Sequence, residues 1–202
     1  FNRLGVLPTR NFQQSTFAEA EAVSGEGLHR SNFVKSAHCA NCTIGCEKIL
    51  VTNDGGPQAR GRMEYESAFA LGPLVGVGDG NAVIRASHHC DEVGMDTISA
   101  GATVAWAMEC YEKGLMARED TGGISLDFGD PDALMSVLDM IAERRGLGDL
   151  LAEGSRRASE VVGRGSRDWA MVVKSLEMPG YEPRSLKTMA LGLAVSTRGA
   201  CH

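Results

Sequence analysis

Cys39, Cys42 and Cys46 stand together in the string Cys39-Ala40-Asn41-Cys42-Thr43-Ile44-Gly45-Cys46, and thiols so spaced make a soft-metal clamp. Gaps of two and three residues let one tight loop aim its sulfurs inward at a single ion or cluster. Gly45, lacking a Cβ, suits a backbone that folds closely around such a group. Structural zinc and an iron-sulfur cluster each take four protein ligands, so the local set is one ligand short. The fourth must come from a distant segment. The remaining cysteines, Cys90, Cys110 and Cys201, are scattered singly.

Iron-sulfur and zinc both satisfy this spacing. The order C-x2-C-x3-C is the reverse of the C-x3-C-x2-C carried by radical-SAM enzymes, which disfavours that chemistry. A disulfide scaffold is also disfavoured, because 202 residues with 43% hydrophobic content can bury a core without staples. The net charge of -6 leaves no basic footprint for nucleic acid. No run approaches the roughly 18 apolar residues of a membrane span, and Phe1-Asn2-Arg3-Leu4-Gly5 is neither an initiator methionine nor a signal peptide. The reading is therefore a cytoplasmic, reducing setting with no membrane or nucleic-acid partner. Starting without Met and stopping at Ala200-Cys201-His202, the chain reads as a fragment of a longer polypeptide.

Elements around the cysteine loop must bring the missing groups to it. From about Asn81 to Val93, apolar or small residues at Val83, Ala86, Cys90 and Val93 recur every three to four positions and predict a helix. Gly94-Met95-Asp96 breaks it, and Asp96 is a good N-cap for a helix from Thr97 to Lys113 stopped by Gly114. That helix is apolar or small all round from Ile98 to Met108, so it belongs in the centre of the molecule. Asp130-Pro131 opens another, with Ala133, Leu134, Val137, Leu138, Ile141 and Ala142 on one face and Gly146 as stop. Thr16-Phe17-Ala18-Glu19 reads as a capping box for a short helix that Gly25 stops. Arg62 to Leu71, ended by Gly72-Pro73, is a short helix or turn bearing the carboxylates of Glu64 and Glu66, and Asn53 to Pro57 is a turn. Further helices run from about Gly148 to Val162 and from Arg184 to Ser196, with an extended segment from Trp169 to Ser175 and an irregular link at Pro179 and Pro183. The sum is a mainly α protein of one large or two small domains, without repeats.

Five strings in one order carry a resemblance: the cysteine loop with Glu64-Tyr65-Glu66, Asp91-Glu92-Val93-Gly94-Met95-Asp96, Gly146 to Gly154, Val173 to Arg184, and Arg198-Gly199-Ala200-Cys201-His202. In this order the chain resembles the tungsten-containing aldehyde:ferredoxin oxidoreductase family. The resemblance implies that family's multihelical C-terminal region, with residues 1–168 as the helical second domain and 169–202 as the start of the third. It implies a 4Fe-4S cluster beside a tungsten, sometimes molybdenum, ion held by two pterin dithiolenes. Cys39, Cys42 and Cys46 match the family's cluster loop; the fourth cysteine belongs to a later D-x-x-G-L-C element, absent here. Asp91, Gly94 and Asp96 match its pterin-contacting element, where a carboxylate can accept paired N–H donors; the plain alternative is a helix exit with Asp96 as the next N-cap. Glu64 and His202 match the site's acid/base candidates; apart from the resemblance they are a surface charge and a terminal residue.

The chain departs from the family at Arg85-Ala86-Ser87-His88. Some members join homodimers through a metal held by E-x-x-H there, and arginine cannot ligate a cation. His88 and His89 then read as ordinary helix histidines. The activity implied is oxidation of an aldehyde to a carboxylic acid, with electrons passing through the cluster to ferredoxin. Two other readings remain: reduction of a carboxylic acid or aromatic acyl thioester on the same scaffold, and a noncatalytic zinc- or cluster-binding module.

Overall fold

The computed structural model describes residues 1–201. Two short helices, α1 (Ala20–Val23) and α2 (Gly25–Ser31), lead into strands β1 (Phe33–Ala37), β2 (Glu47–Val51) and β3 (Arg60–Met63). Helices α3 (Tyr65–Leu71), α4 (Gly80–Val93), α5 (Thr97–Glu112), α6 (Pro131–Glu143), α7 (Leu147–Leu151) and α8 (Gly154–Val162) follow. A small hairpin, β4 (Val172–Val173) with β5 (Leu176–Glu177), precedes α9 (Lys187–Val195). The architecture is mainly α, with a three-stranded antiparallel sheet in the order β1-β2-β3 on one flank. No single helix among the described residues is long and apolar enough to cross a membrane.

The all-round apolar sequence of α5 has the consequence expected of it: every residue from Ala100 to Cys110 is buried. Trp106 fills the centre, and its Nε1 finds a partner in the Ser166 carbonyl at 2.9 Å. Burial pushes the thiols of Cys90 and Cys110 up to about 12, so both behave as packing groups rather than nucleophiles. Helix α3 crosses α5 at Gly101, where a Cβ would stand 2.3 Å from the Ala70 carbonyl oxygen. Only glycine permits that approach.

Helix α4 lies against the sheet, with Ser87 Oγ donating to the Arg62 carbonyl of β3 at 3.1 Å. Gly94, at φ 73°, ends it in the left-handed conformation, and Asp96 then caps α5 by accepting from the Ser99 amide at 2.7 Å. Asp130 caps α6 over Pro131 as its residue types predict, accepting from the amides of Asp132 and Ala133.

The structure differs from the sequence reading in four places. Gly25 starts a helix instead of stopping one, because Ser24 caps α2 through the Gly27 amide at 2.9 Å; Thr16 caps nothing, since α1 begins after Glu19 and has no side-chain cap. The helix foreseen over Gly148 to Val162 is broken into α7 and α8 where Gly154 turns to φ 83°. The extended run from Trp169 to Ser175 forms a strand only at Val172–Val173, because Lys174 and Ser175 both take positive φ and turn the chain into β5. The three-stranded sheet was not foreseen, its strands being short and its first one largely exposed.

Candidate functional site

The cysteine loop is the connection between β1 and β2, closed by the pairing of Ala37 with Glu47. Its turns come from Asn41 at φ 63° and Gly45 at φ 61°. The Cys42 amide bonds the Cys39 carbonyl at 3.0 Å, His38 Nδ1 lies 2.7 Å from the Cys42 carbonyl, and Lys48 Nζ donates to the Gly45 carbonyl at 2.6 Å. Cys39 and Cys46 are exposed and Cys42 is half-buried, each as a free thiol. Three unpaired soft donors on one loop fit a cluster in chemistry. Among the described residues no three His, Cys, Asp or Glu side chains converge on a common metal position, so these thiols share a loop and not yet a focus.

Strand register carries the loop toward the other matched residues. Lys48 pairs with Met63 in the antiparallel β2–β3 ladder, so Cys46 and Glu64, each two residues or fewer beyond that pair, leave the sheet at the same end. Glu64 is the N-cap of α3, accepting from the amides of Glu66 and Ser67, both at 2.8 Å. Ser67 Oγ lies 3.2 Å from Glu64 Oε1 and 3.1 Å from Thr97 Oγ1. That hydroxyl pair joins the starts of α3 and α5 and so brings Glu64 and Asp96 into one neighbourhood. Asp91 and Gly94 stand exposed at the end of α4, and a Cβ on Gly94 would meet nothing within 4 Å. The predicted His202 lies outside the described residues; just before it, the Ala200 amide bonds the Val173 carbonyl at 3.3 Å.

Beside Glu64 and its neighbours sit buried carboxylates whose burial the sequence did not reveal. Glu66, 6% exposed, accepts from the Gly180 amide at 2.8 Å. Burial pushes its carboxyl up to about 7 against the pull of that amide, with the negative charges of Glu64 and Asp96 adding to the rise. Tyr65 donates its hydroxyl to the Gly180 carbonyl, and burial first, then Glu66, drives the phenol upward. Gly180 is required: a Cβ would lie 2.8 Å from both Phe69 Cγ and Tyr65 Cε1. Glu177 joins α5 to α8, accepting from Ser99 Oγ at 3.0 Å and Ser155 Oγ at 2.8 Å. Glu182 is buried, which opposes its charge, yet the two-toothed grip of Arg184 at 2.7 Å holds it below the usual carboxylate range. For two of these three, Glu177 and Glu182, the available signal is their place in a run broken by Pro179 and Pro183, where no helical or strand period supports a solvated face.

Arg85 donates to both oxygens of Asp54 at 2.5 Å. His88 Nε2 lies 3.5 Å from Glu92, and His89 Nε2 lies 3.2 Å from Asp139.

Comparison with known proteins places these features in context. The family described as aldehyde ferredoxin oxidoreductase, domains 2 & 3, matches residues 1–202. The whole chain aligns with tungsten-containing aldehyde ferredoxin oxidoreductases of Pyrococcus horikoshii, at 42% identity over 208 residues, and Thermococcus kodakarensis, at 40% over 207, covering 33% of each. An aliphatic sulfonate oxidoreductase, WOR-like subunit, of Pyrococcus furiosus is 29% identical over 206 residues, with 96% of this chain and 32% of that protein covered. Among solved structures, the active site complex BamBC of benzoyl coenzyme A reductase with 1,5-dienoyl-CoA superposes at a TM-score of 0.65 and 26% identity, covering 77% of this chain and 23% of that one. The chain spans about a third of the length of the curated relatives it matches.

Proposed function

Since the chain belongs to the aldehyde ferredoxin oxidoreductase family, we propose that it is the helical portion of an oxidoreductase that converts an aldehyde to a carboxylic acid and hands the electrons to ferredoxin. Residues 1–168 serve as the second domain and 169–202 as the start of the third. In this reading Cys39, Cys42 and Cys46 hold a 4Fe-4S cluster, and Asp91, Gly94 and Asp96 line a tungsten or molybdenum bis-pterin. When bound, these groups supply the two-electron oxidation and the onward electron transfer. The chain's own residues do the holding and the proton work. Exposed Asp91 and Asp96 offer carboxylate pairs to N–H donors; Asp96 spends one oxygen on its helix cap, leaving the other to accept. Glu64 is half-buried at its own cap and hydroxyl-bridged toward Asp96, a carboxylate fixed in place and able to take or return a proton at Oε.

The observation that carries the reading is the β2–β3 register, which brings the end of the cysteine loop and Glu64 to one end of the sheet. A homodimer, as some members form, would lack a bridging metal at His88, since Arg85 is committed to Asp54. Of the second reading, reduction of a carboxylic acid or an aromatic acyl thioester at the same centre, the acyl-thioester form is favoured by the superposition on a benzoyl coenzyme A reductase complex.

The test uses the anaerobically prepared full-length protein. Iron, labile sulfide and tungsten should be present, and a small aldehyde should drive viologen reduction. Cys42→Ser should lower iron toward zero, because a hydroxyl is a poor substitute for a soft thiolate, while Cys110→Ser, buried in α5, leaves iron intact. Zinc in place of iron, or full iron in Cys42→Ser, overturns the assignment. Turnover with an acyl thioester and none with aldehydes selects the second reading.

A further inference from the structure

We infer that Arg62 is a positioning residue of the cysteine loop, whose fixed charge raises the reduction potential of the cluster held there and ties that loop to the Asp91 turn. The inference rests on the reading of Cys39, Cys42 and Cys46 as cluster ligands, and their free thiols on one exposed loop fit that group.

Strand alternation sets the direction of the side chain. Gly61 and Met63 are buried while Arg60 and Arg62 face outward, so the Arg62 side chain leaves the sheet on its open side. There its Nη2 donates to Glu47 Oε2 at 2.7 Å. Glu47 directly follows Cys46 and pairs with Ala37 at the foot of the loop, so the guanidinium is anchored to the loop's own hinge. The Arg62 carbonyl, in turn, accepts from Ser87 Oγ of α4 at 3.1 Å. Asp91 follows Ser87 by one helical turn on the same face, about 5–6 Å farther along. One residue thus contacts the cysteine hairpin through its side chain and the helix that bears Asp91 through its backbone. The charge pattern agrees: Glu47 first, then Asp91 and Cys39 through space, push the guanidinium's proton affinity upward.

Reduction by one electron adds a negative charge to a cluster, and a nearby fixed cation stabilises the reduced form more than the oxidised one. Glu47 offsets part of that cation. Removing Arg62 therefore leaves Glu47 uncompensated and lowers the potential; removing Glu47 leaves Arg62 uncompensated and raises it. Lysine at 62 keeps the charge but not the planar fork.

The experiment is an EPR-monitored redox titration of the cluster in the anaerobic full-length protein, with iron and labile sulfide measured on each sample. Arg62→Gln should shift the midpoint to more negative potential, Glu47→Gln to more positive potential, and Arg62→Lys should stay near the unsubstituted protein. If Arg62→Gln loses iron, Glu47→Gln decides alone. A cluster whose midpoint is unmoved by both neutral substitutions, or by Glu47→Gln alone in that case, overturns the role of Arg62 and leaves the cluster assignment standing. A full-length protein without iron and labile sulfide overturns the cluster assignment and this inference with it.

Discussion

Glu64 and Glu66 stand two positions apart and live in different environments, one half-buried at a helix cap, the other sealed beneath Gly180. For Glu64 the proposed role is proton transfer, so in the full-length enzyme Glu64→Gln and His202→Asn should each cut the turnover number by about a hundredfold or more. Tungsten and iron content should stay unchanged. Cofactor-replete variants that keep normal turnover and pH profile would leave Glu64 a helix cap only and take His202 out of the proton transfer. For Glu66 the consequence is thermodynamic. Its carboxyl titrates near 7 in the fold against an ordinary value of 4.5, so the folded chain holds the proton more tightly than the unfolded one. The stability that this proton contributes is complete below about 4.5 and is lost as pH rises through about 7. Glu66→Gln keeps an acceptor for the Gly180 amide without a charge to bury. It should therefore gain up to about 3 kcal/mol on the native sequence above neutrality and little below pH 5, as thermal unfolding across pH 5–8 would reveal. Equal stability differences at both ends of that range contradict the buried-proton account.

At the scale of elements, the crossing of α3 and α5 sets the site, because it brings two carboxylate-capped helix starts within reach of one hydroxyl pair. Gly101 makes the crossing close. Alanine is the better helix former by about 1 kcal/mol, but its Cβ would meet the Ala70 carbonyl carbon at 2.7 Å, and rigid backbone cannot yield cheaply. Gly101→Ala should therefore lower stability by about 1–3 kcal/mol in spite of propensity. Gly192→Ala on α9, where a Cβ meets nothing within 4 Å, should raise it slightly. Denaturant unfolding of the two variants decides; a stabilised Gly101→Ala would show that the helices are not so tightly apposed.

At the scale of the molecule, the cysteine loop, Asp91, Gly94 and Asp96 are mostly exposed, with a large apolar side chain at Ile44 beside the thiols in the loop. These 202 residues alone should accordingly bind no stable tungsten-pterin and show no turnover, and elemental analysis finding stoichiometric tungsten in them would refute that. Local rules were legible directly. Asp96 and Asp130-Pro131 declare their helices through caps that need only the next three residues, and the all-round apolar run of α5 declares its burial. The cysteine spacing likewise places three thiols on one loop with no reference to the rest of the chain. The sheet was not legible, because β1 is short and mostly exposed, and pairing energy comes from partners across the whole cysteine loop, such as Leu50 for Phe33. The break between α7 and α8 was missed for a similar reason: Gly154 turns to φ 83° and the Ser155 amide beside it donates to Glu177 at 3.1 Å, a partner 22 residues on that a local helical period does not register. Sequence alone therefore determined which groups could do chemistry and most of the helices that carry them. Only the tertiary structure decided that Cys46 and Glu64 leave one sheet together, that Ser67 and Thr97 join two helix starts, and that Glu66 is sealed under Gly180. Each of these depends on which distant segments meet, and spacing along a chain holds no information about that meeting until the core has chosen it.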